Sequence, residues 1–388
     1  MIRKSSGRGN GGTLPRFLLL LTFFLASGLL AGAEELRLTF LGDFIPHGAL
    51  EELDRRAFAD LAPYLRTDDL TFLNLETPLH PGRPPEGYPN FNAHPSFLIA
   101  ALDGGVEVVS AANNHSLDQG VEGVDRTREV LREIRRDRKT FYHSGLRGWN
   151  GDAPEPAVME VEGYRIGYLS VTQFLNNWPP GDPERMLNLV DRRNRERFLA
   201  SLRPEQYDFF ILAYHGNALE EYKQEPEPAK LRFFRELAEL GVDLIWGHHP
   251  HVPQPPIWVD RGAERSLILP STGNFLTGQG ALLDQEEPDA RGEHAPRNDG
   301  YLFRITVAPA PASSRLRITG LDLIPFTNAP AQIPGGRKAT TFDRAAAEAP
   351  SDRWRSYYRA RERILRDRAA SYLRHASEAD SPVVEATP

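Results

Sequence analysis

The chain has 388 residues, 40% of them hydrophobic, enough to bury a sizeable core as one large domain or one domain with an appendage. Its net charge of −7, with both signs interspersed and no long basic run, argues against nucleic acid as the main partner, because phosphate binding needs a concentrated Lys/Arg surface. With no cysteine, disulfides, thiolate metal sites, a cysteine nucleophile and a lipoprotein anchor are excluded together. Any metal must then be held by His, Asp, Glu and Asn, a donor set that suits Mn, Fe, Zn or Mg.

The first 33 residues read as an export signal. Arg3, Lys4, Arg8 and Arg16 precede the short apolar run Phe17 to Leu30, and Ala31-Gly32-Ala33 supplies a small-x-small cleavage site before Glu34-Glu35. The remainder is expected to be soluble and extracytoplasmic, secreted or in the cell envelope. The alternative is an uncleaved membrane anchor at residues 17–33, short of the roughly 20 apolar residues of a comfortable span.

From Glu35 onward, short apolar runs alternate with amphipathic ones, which predicts an α/β layered fold. Strands are expected at Leu36 to Asp43, Leu70 to Glu76, Val106 to Ser110, Arg165 to Thr172, Phe209 to His215, Asp243 to Gly247 and Ser266 to Leu269. Helices are expected over Ala49 to Arg66, over Val121 to Ile134, and from Leu231 to Leu240, the last closed by Gly241. Tyr301 to Val307 and Arg315 to Ile324 read as an antiparallel pair joined by a Pro-Ala-rich turn. The charged, Gly/Pro-rich stretch Thr277 to Gly300 reads as a long loop, either disordered or a lid. Its Arg291, His294, Arg297 and Asn298 are either solvated or placed to contact an anionic substrate. The domain is expected to span 34–335, with a helical extension over 336–376 centred on Phe342 to His375, and a disordered tail at 377–388.

The chemistry-bearing residues fall at strand ends. Gly247-His248-His249-Pro250-His251 leaves an apolar strand, and the His249-x-His251 spacing lets two imidazoles turn toward one point. Another strand ends at His215. A third ends in Asn113-Asn114-His115, where an amide oxygen and an imidazole sit before Asp118, which is placed to orient His115; a turn with a helix cap is the plainer reading. Asp43 and Glu76 end two further strands, where acids also serve as caps. The carboxyl ends of strands in an open α/β sheet share one face, where ligands bind. A carboxylate bridging two metals needs such a mixture.

This ordered set resembles the calcineurin-like metallophosphoesterases, and more closely the CapA-type capsule (poly-γ-glutamate) synthesis proteins. The motifs are Gly42-Asp43, Asn74-Leu75-Glu76, Ala112-Asn113-Asn114-His115 with Asp118 and Gly120, His249-Pro250-His251-Val252 and Gly273-Asn274-Phe275. Phe91-Asn92-Ala93-His94-Pro95 matches a family segment that usually has Arg at the place of Asn92. The resemblance implies an α/β/β/α sandwich with helices on the outer faces, and one or two divalent ions. Glu76 would bridge, Asp43 and His251 would serve one metal, Asn114, His215 and His249 the other, and His115 would protonate a leaving oxygen. It also implies an exported metal-dependent hydrolase in capsule or poly-γ-glutamate synthesis, acting on an anionic polymer or phosphoester-like substrate. The alternative is a non-catalytic polymer-binding or assembly factor with a degenerate site, working with a membrane polymer-synthesis complex. Two departures stand out: Ile45 replaces the histidine of the usual Asp-x-His, leaving only His47 nearby, and the Trp that usually follows the lone histidine is missing after His215.

Overall fold

The computed structural model describes residues 35–379 apart from 48–49, 51, 148–153, 180, 263, 281–287 and 312–314. The expected export signal at 1–33, the residues beyond 379, part of the charged loop and part of the Pro-Ala turn lie outside the described residues. In chain order the elements are β1 (Leu36–Phe44), α1 (Ala62–Leu65), β2 (Leu70–Leu75), α2 (Pro95–Gly104), β3 (Val108–Ser110), α3 (Gly120–Asp137) and β4 (Tyr142–Ser144). Next come β5 (Ala157–Val161), β6 (Tyr164–Thr172), α4 (Arg195–Ser201), β7 (Phe209–His215), α5 (Pro228–Glu239) and β8 (Leu244–His248). The short strands β9 (Pro253–Gln254), β10 (Ile257–Arg261), β11 (Glu264–Leu269), β12 (Ser271–Thr272) and β13 (Asn274–Leu276) follow. The chain then runs through β14 (Asp299–Pro309), β15 (Leu316–Pro330), β16 (Arg337–Thr341), α6 (Phe342–Ala347) and α7 (Asp352–Ala379).

Two sheets carry the fold. One has the order β16-β15-β14-β1-β2-β3-β4, with β13 also against β1; the other has the order β10-β11-β8-β7-β6-β5. β1, β2, β3 and β4 run parallel, as do β6, β7, β8 and β11 in the second sheet. The final long strands pair antiparallel, as expected, and extend to β16.

Period-2 alternation assigns each side chain to a layer. Leu38, Phe40 and Phe72 of the first sheet share a cluster with Ile166, Tyr168, Ile211 and Trp246 of the second, so the sheets face one another. Their alternates Leu41, Leu73 and Val109 pack with Phe97 and Leu98 of α2 and Leu131 and Ile134 of α3. Leu169, Phe210 and Leu212 pack with Phe198 of α4 and Phe234 and Leu237 of α5. Helix, sheet, sheet and helix are thus stacked as the α/β/β/α sandwich requires. The central parallel strands are covered on both faces, which is why β2 and β7 read as continuous apolar runs. Trp246 sits between the sheets, edge-on to Phe40 and Phe72, and its indole N–H donates to Leu41 O at 3.1 Å.

Two helical segments differ from expectation. Over Ala49 to Arg66 the described residues form a 3-10 turn, Arg55–Phe58, and then the short α1. Asp54 caps the turn through Arg56 N–H at 2.9 Å, and Pro63 has no N–H with which to continue a helix from before it. The segment Phe342 to His375 is likewise two helices, because Pro350 stops α6 from running into α7. Trp354, Tyr357, Tyr358, Leu365 and Ala369 of α7 are buried in the cluster that fills the space between the sheets. Helix α2 was not read from the sequence; His94 caps it by accepting the Ser96 N–H, and Pro95 opens it. Among the described residues no helix is long and apolar enough to cross a membrane.

Candidate metal centre

Asp43 lies near the carboxyl end of β1, where its N–H donates to Gly273 O at 2.9 Å. That approach needs a bare backbone at Gly42, since a Cβ there would stand 1.9 Å from Gly273 O. Gly42→Ala is therefore expected to force β1 and the Gly273 turn apart, costing about 2–3 kcal/mol or more. Chemical denaturation measures it; an unchanged midpoint would remove the steric argument.

The Asp43 carboxylate is held at both oxygens. Oδ1 accepts from Asn74 Nδ2 at 2.8 Å and lies 2.9 Å from His248 Nδ1, while Oδ2 lies 3.0 Å from His251 Nδ1. Glu76 follows β2, its N–H donating to Phe44 O. Its Oε2 accepts from Asn74 Nδ2 at 3.3 Å, and its Oε1 lies 3.6 Å from Nε2 of both His215 and His251. His215 ends β7 and pairs in register with His248 at the end of β8. Past β8 the backbone is strained: His249 and His251 adopt φ of 93° and 56°, a region that side-chain-bearing residues avoid. Strain of this kind collects at functional sites, where surrounding structure holds it in place.

The donor atoms fall into two overlapping groups, with all atoms of each within 4.8 Å of one another: Asp43, Glu76 and His215, and Glu76, His249 and His251. Asp43 Oδ2 also lies 3.0 Å from His251 Nδ1, so the two groups touch at that edge as well. Glu76 belongs to both. Glu76 Oε1, Asn114 Oδ1, His215 Nε2 and both ring nitrogens of His249 are buried and make no hydrogen bond. Buried polar atoms in folded proteins nearly always have partners, so five orphans of mixed oxygen and nitrogen type fit a divalent cation.

The charges agree. Burial alone would raise the Asp43 carboxyl, but hydrogen bonds and charge from His248 and His251 hold it well below the usual carboxylate range. Glu76 goes the other way: burial, with the Asp43 charge beside it, pushes its carboxyl well above the ordinary value despite His251. Burial holds His215, His248 and His249 below the ordinary imidazole value, in the neutral form that offers a lone pair. Burial would lower His251 too, yet Glu76 and Asp43 raise it to about 9.

The Asn113-Asn114-His115 turn follows β3, tied down by Asn113 Nδ2 donating to Leu75 O at 2.8 Å. His115 Nδ1 lies 2.6 Å from Asp118 Oδ2, which also accepts the Phe91 N–H at 2.8 Å. Asn177 Nδ2 donates to Asp118 Oδ1 at 3.1 Å, and Asn176 Nδ2 lies 3.4 Å from His115 Nε2. Phe91 packs edge-on to His115, 4.6 Å between centroids.

Three residues that stand within the quoted motifs, with no role of their own assigned from the sequence, turn out to support the site. His248 and Asn74 hold Asp43, and Asn274 Oδ1 lies 3.1 Å from His251 Nδ1. Their signal was a polar side chain on a strand whose other residues are apolar. Ile45 is fully buried and passes its N–H to Leu276 O at 3.0 Å. His47 lies 3.0 Å from Thr277 Oγ1 and belongs to neither donor group. Asn92 is buried and donates to the carbonyls of His80 and Pro84, shaping its own loop where the family arginine would carry charge. Arg291 and His294 are exposed, Arg297 is partly covered and Asn298 is buried.

Residues 37–279, more than half of the chain, match the family described as bacterial capsule synthesis protein PGA_cap. The chain is 24% identical over 267 residues to the capsule biosynthesis protein CapA of Bacillus anthracis, covering 64% of this chain and 61% of that one. It is 25% identical over 291 residues to the PGA biosynthesis protein CapA of Bacillus subtilis, covering 70% and 71%. It thus spans less than two thirds of the first relative's length. Among solved structures, a hypothetical protein of Thermus thermophilus is similar at 16% identity and TM-score 0.43, covering 75% of this chain and 99% of that one. A calcineurin-like phosphoesterase of Bacillus subtilis is similar at 9% identity and TM-score 0.38, covering 88% and 99%. The family match runs from β1 through β13 and so contains all eight residues singled out as ligands and proton carriers: the chain belongs to the bacterial capsule synthesis family PGA_cap.

Proposed function

We propose that this protein is an extracytoplasmic metal-dependent hydrolase acting on a phosphoester or a related bond during capsule or poly-γ-glutamate synthesis. The observation that carries the reading is the shared carboxylate: Glu76 stands in both donor groups, with orphaned buried atoms of Asn114, His215 and His249 as further ligands. Asp43, Glu76, Asn114, His215, His249 and His251 would hold one or two ions of Mn, Fe, Zn or Mg. Such ions supply a Lewis acid that acidifies water and offsets the charge gathering on the reacting group. With the Nδ1–H of His115 donated to Asp118, the imidazolium form of the ring would present its Nε2–H to a leaving oxygen and return to neutral on giving that proton up. Asn74 and His248 keep Asp43 aimed, as outer partners of metal ligands do. Export rests on the basic, apolar and Ala-Gly-Ala segments of residues 1–33.

The buried Ile45 at the place of a usual ligand favours a second reading, a polymer-binding factor with one metal and no turnover. Metal analysis separates the two. Protein reconstituted with Mn should hold close to two ions and cleave a phosphodiester reporter, with activity abolished by chelation and restored by Mn. One ion without turnover across phosphoester and amide reporters would leave the binding factor; no retained metal would reject both.

A further inference from the structure

Two loops and one helix beside the metal centre have no part in that reading. The Arg297 guanidinium lies over the Tyr222 ring, 3.7 Å from its centroid. Its side chain is 16% exposed, and among the described residues its carboxylate neighbour is Glu293, 3.7 Å away and 83% exposed, a weak tether. Arg297 Nε is buried and makes no hydrogen bond. Tyr222 in turn belongs to the His249–His251 turn: its N–H donates to Pro250 O at 2.8 Å, and its ring lies 6.1 Å from that of His251. Arg297 O accepts from Asn274 Nδ2 at 2.8 Å, and the other end of the same amide faces His251. A guanidinium is thus registered to one histidine of the metal centre from two sides. Arginine stacked on an aromatic face, with unspent donors beside a cation site, suits a planar grip on an oxyanion.

Helix α7, beyond the matched span of residues 37–279, holds both loops from one face. Arg361 Nε donates to Asp299 Oδ2 at 2.8 Å and Nη1 to Ala290 O at 2.9 Å, on the segment that carries Arg297. About two helical turns on, Arg368 Nη2 donates to Gln224 O at 2.6 Å and Glu225 Oε1 at 2.7 Å, on the loop that carries Tyr222. The Tyr301 hydroxyl donates to Leu365 O at 2.8 Å between them. We propose that Arg297, seated on Tyr222, receives a substrate oxyanion, phosphoryl or carboxylate, beside the metal centre. We further propose that α7 sets its position through Arg361 and Arg368. The proposal rests on the metal-centre reading only for where the reacting bond lies.

Calorimetric titration of the purified protein, with and without Mn, using inorganic phosphate and glutarate as separate probes, tests it. Arg297→Met should weaken the probe that binds by about tenfold or more at unchanged metal content, since a hydrogen-bonded ion pair is lost. Arg297→Lys should recover only part of that, lacking the planar fork. Arg368→Gln, a change at a partly exposed site, should weaken binding several-fold without altering the metal. Equal affinity in wild type and Arg297→Met, or no binding of either probe by wild type, overturns the proposal; an unchanged Arg368→Gln overturns the part assigned to α7. Arg297-dependent binding in a protein that retains no metal would support the oxyanion arm while rejecting the hydrolase reading. Which probe binds tells phosphoryl from carboxylate recognition.

Discussion

His115→Ala should lower phosphodiester turnover by about 10²–10⁴-fold, the usual contribution of a positioned general acid, while metal content stays at the wild-type level. The separation of the two readouts follows from geometry. His115 stands in neither donor group, and its Nδ1 is engaged by Asp118 at 2.6 Å. Asp118→Asn should do less damage to catalysis than His115→Ala, because the imidazole survives but loses the carboxylate that fixes its tautomer. Some structural loss will accompany it, since Asp118 also accepts from Phe91 N–H and Asn177. A leaving group that needs no proton is the sharper probe. Reporters with progressively more acidic leaving groups should lose progressively less in His115→Ala. If the loss is the same for all of them, or if metal leaves with the histidine, the proton-donor role is wrong and His115 belongs to the binding of metal.

The fold was legible because its parallel strands are buried on both faces, so that runs such as Phe209 to Tyr214 stand out from amphipathic helices. The donors were legible for a related reason. A polar residue ending such a run has few structural excuses, and Asp43, Glu76, His215 and His249 each end one. The holders of those donors were less visible. Asn74 lies inside its strand, and nothing in the spacing says that its amide reaches Asp43 and Glu76 from the neighbouring position. The backbone turns at His249 and His251 were hidden too, since no periodicity encodes a positive φ. Helix breaks at Pro63 and Pro350 were written in the sequence but outweighed by apolar spacing. The partnership of Arg297 with Tyr222 joins segments far apart in sequence, and only tertiary structure brings them together.

Glu76→Gln is expected to separate the stability of the metal-free protein from that of the loaded one. Glu76 is fully buried, its Oε1 lacks a hydrogen bond, and its carboxyl is pushed upward by burial and by the Asp43 charge. Without metal that arrangement costs the folded state stability at neutral pH, because a carboxyl raised by burial must either take up a proton on folding or be buried as an anion. The neutral amide relieves it, so metal-free Glu76→Gln should unfold no earlier than metal-free wild type, and on this argument somewhat later. With metal the order must reverse. An ion that binds only the folded wild type stabilises it by about 2.7 kcal/mol at a hundred times its dissociation constant, more if two sites fill. An amide is a poor bridge, so the variant should retain at most one ion and gain correspondingly less on adding Mn. Thermal melts of both proteins with chelator and with excess Mn, read beside metal content, give four values and one required crossing. Parallel shifts of the two proteins on adding Mn would show that Glu76 does not touch the ion, and the shared-carboxylate argument for a metal pair would fall with it.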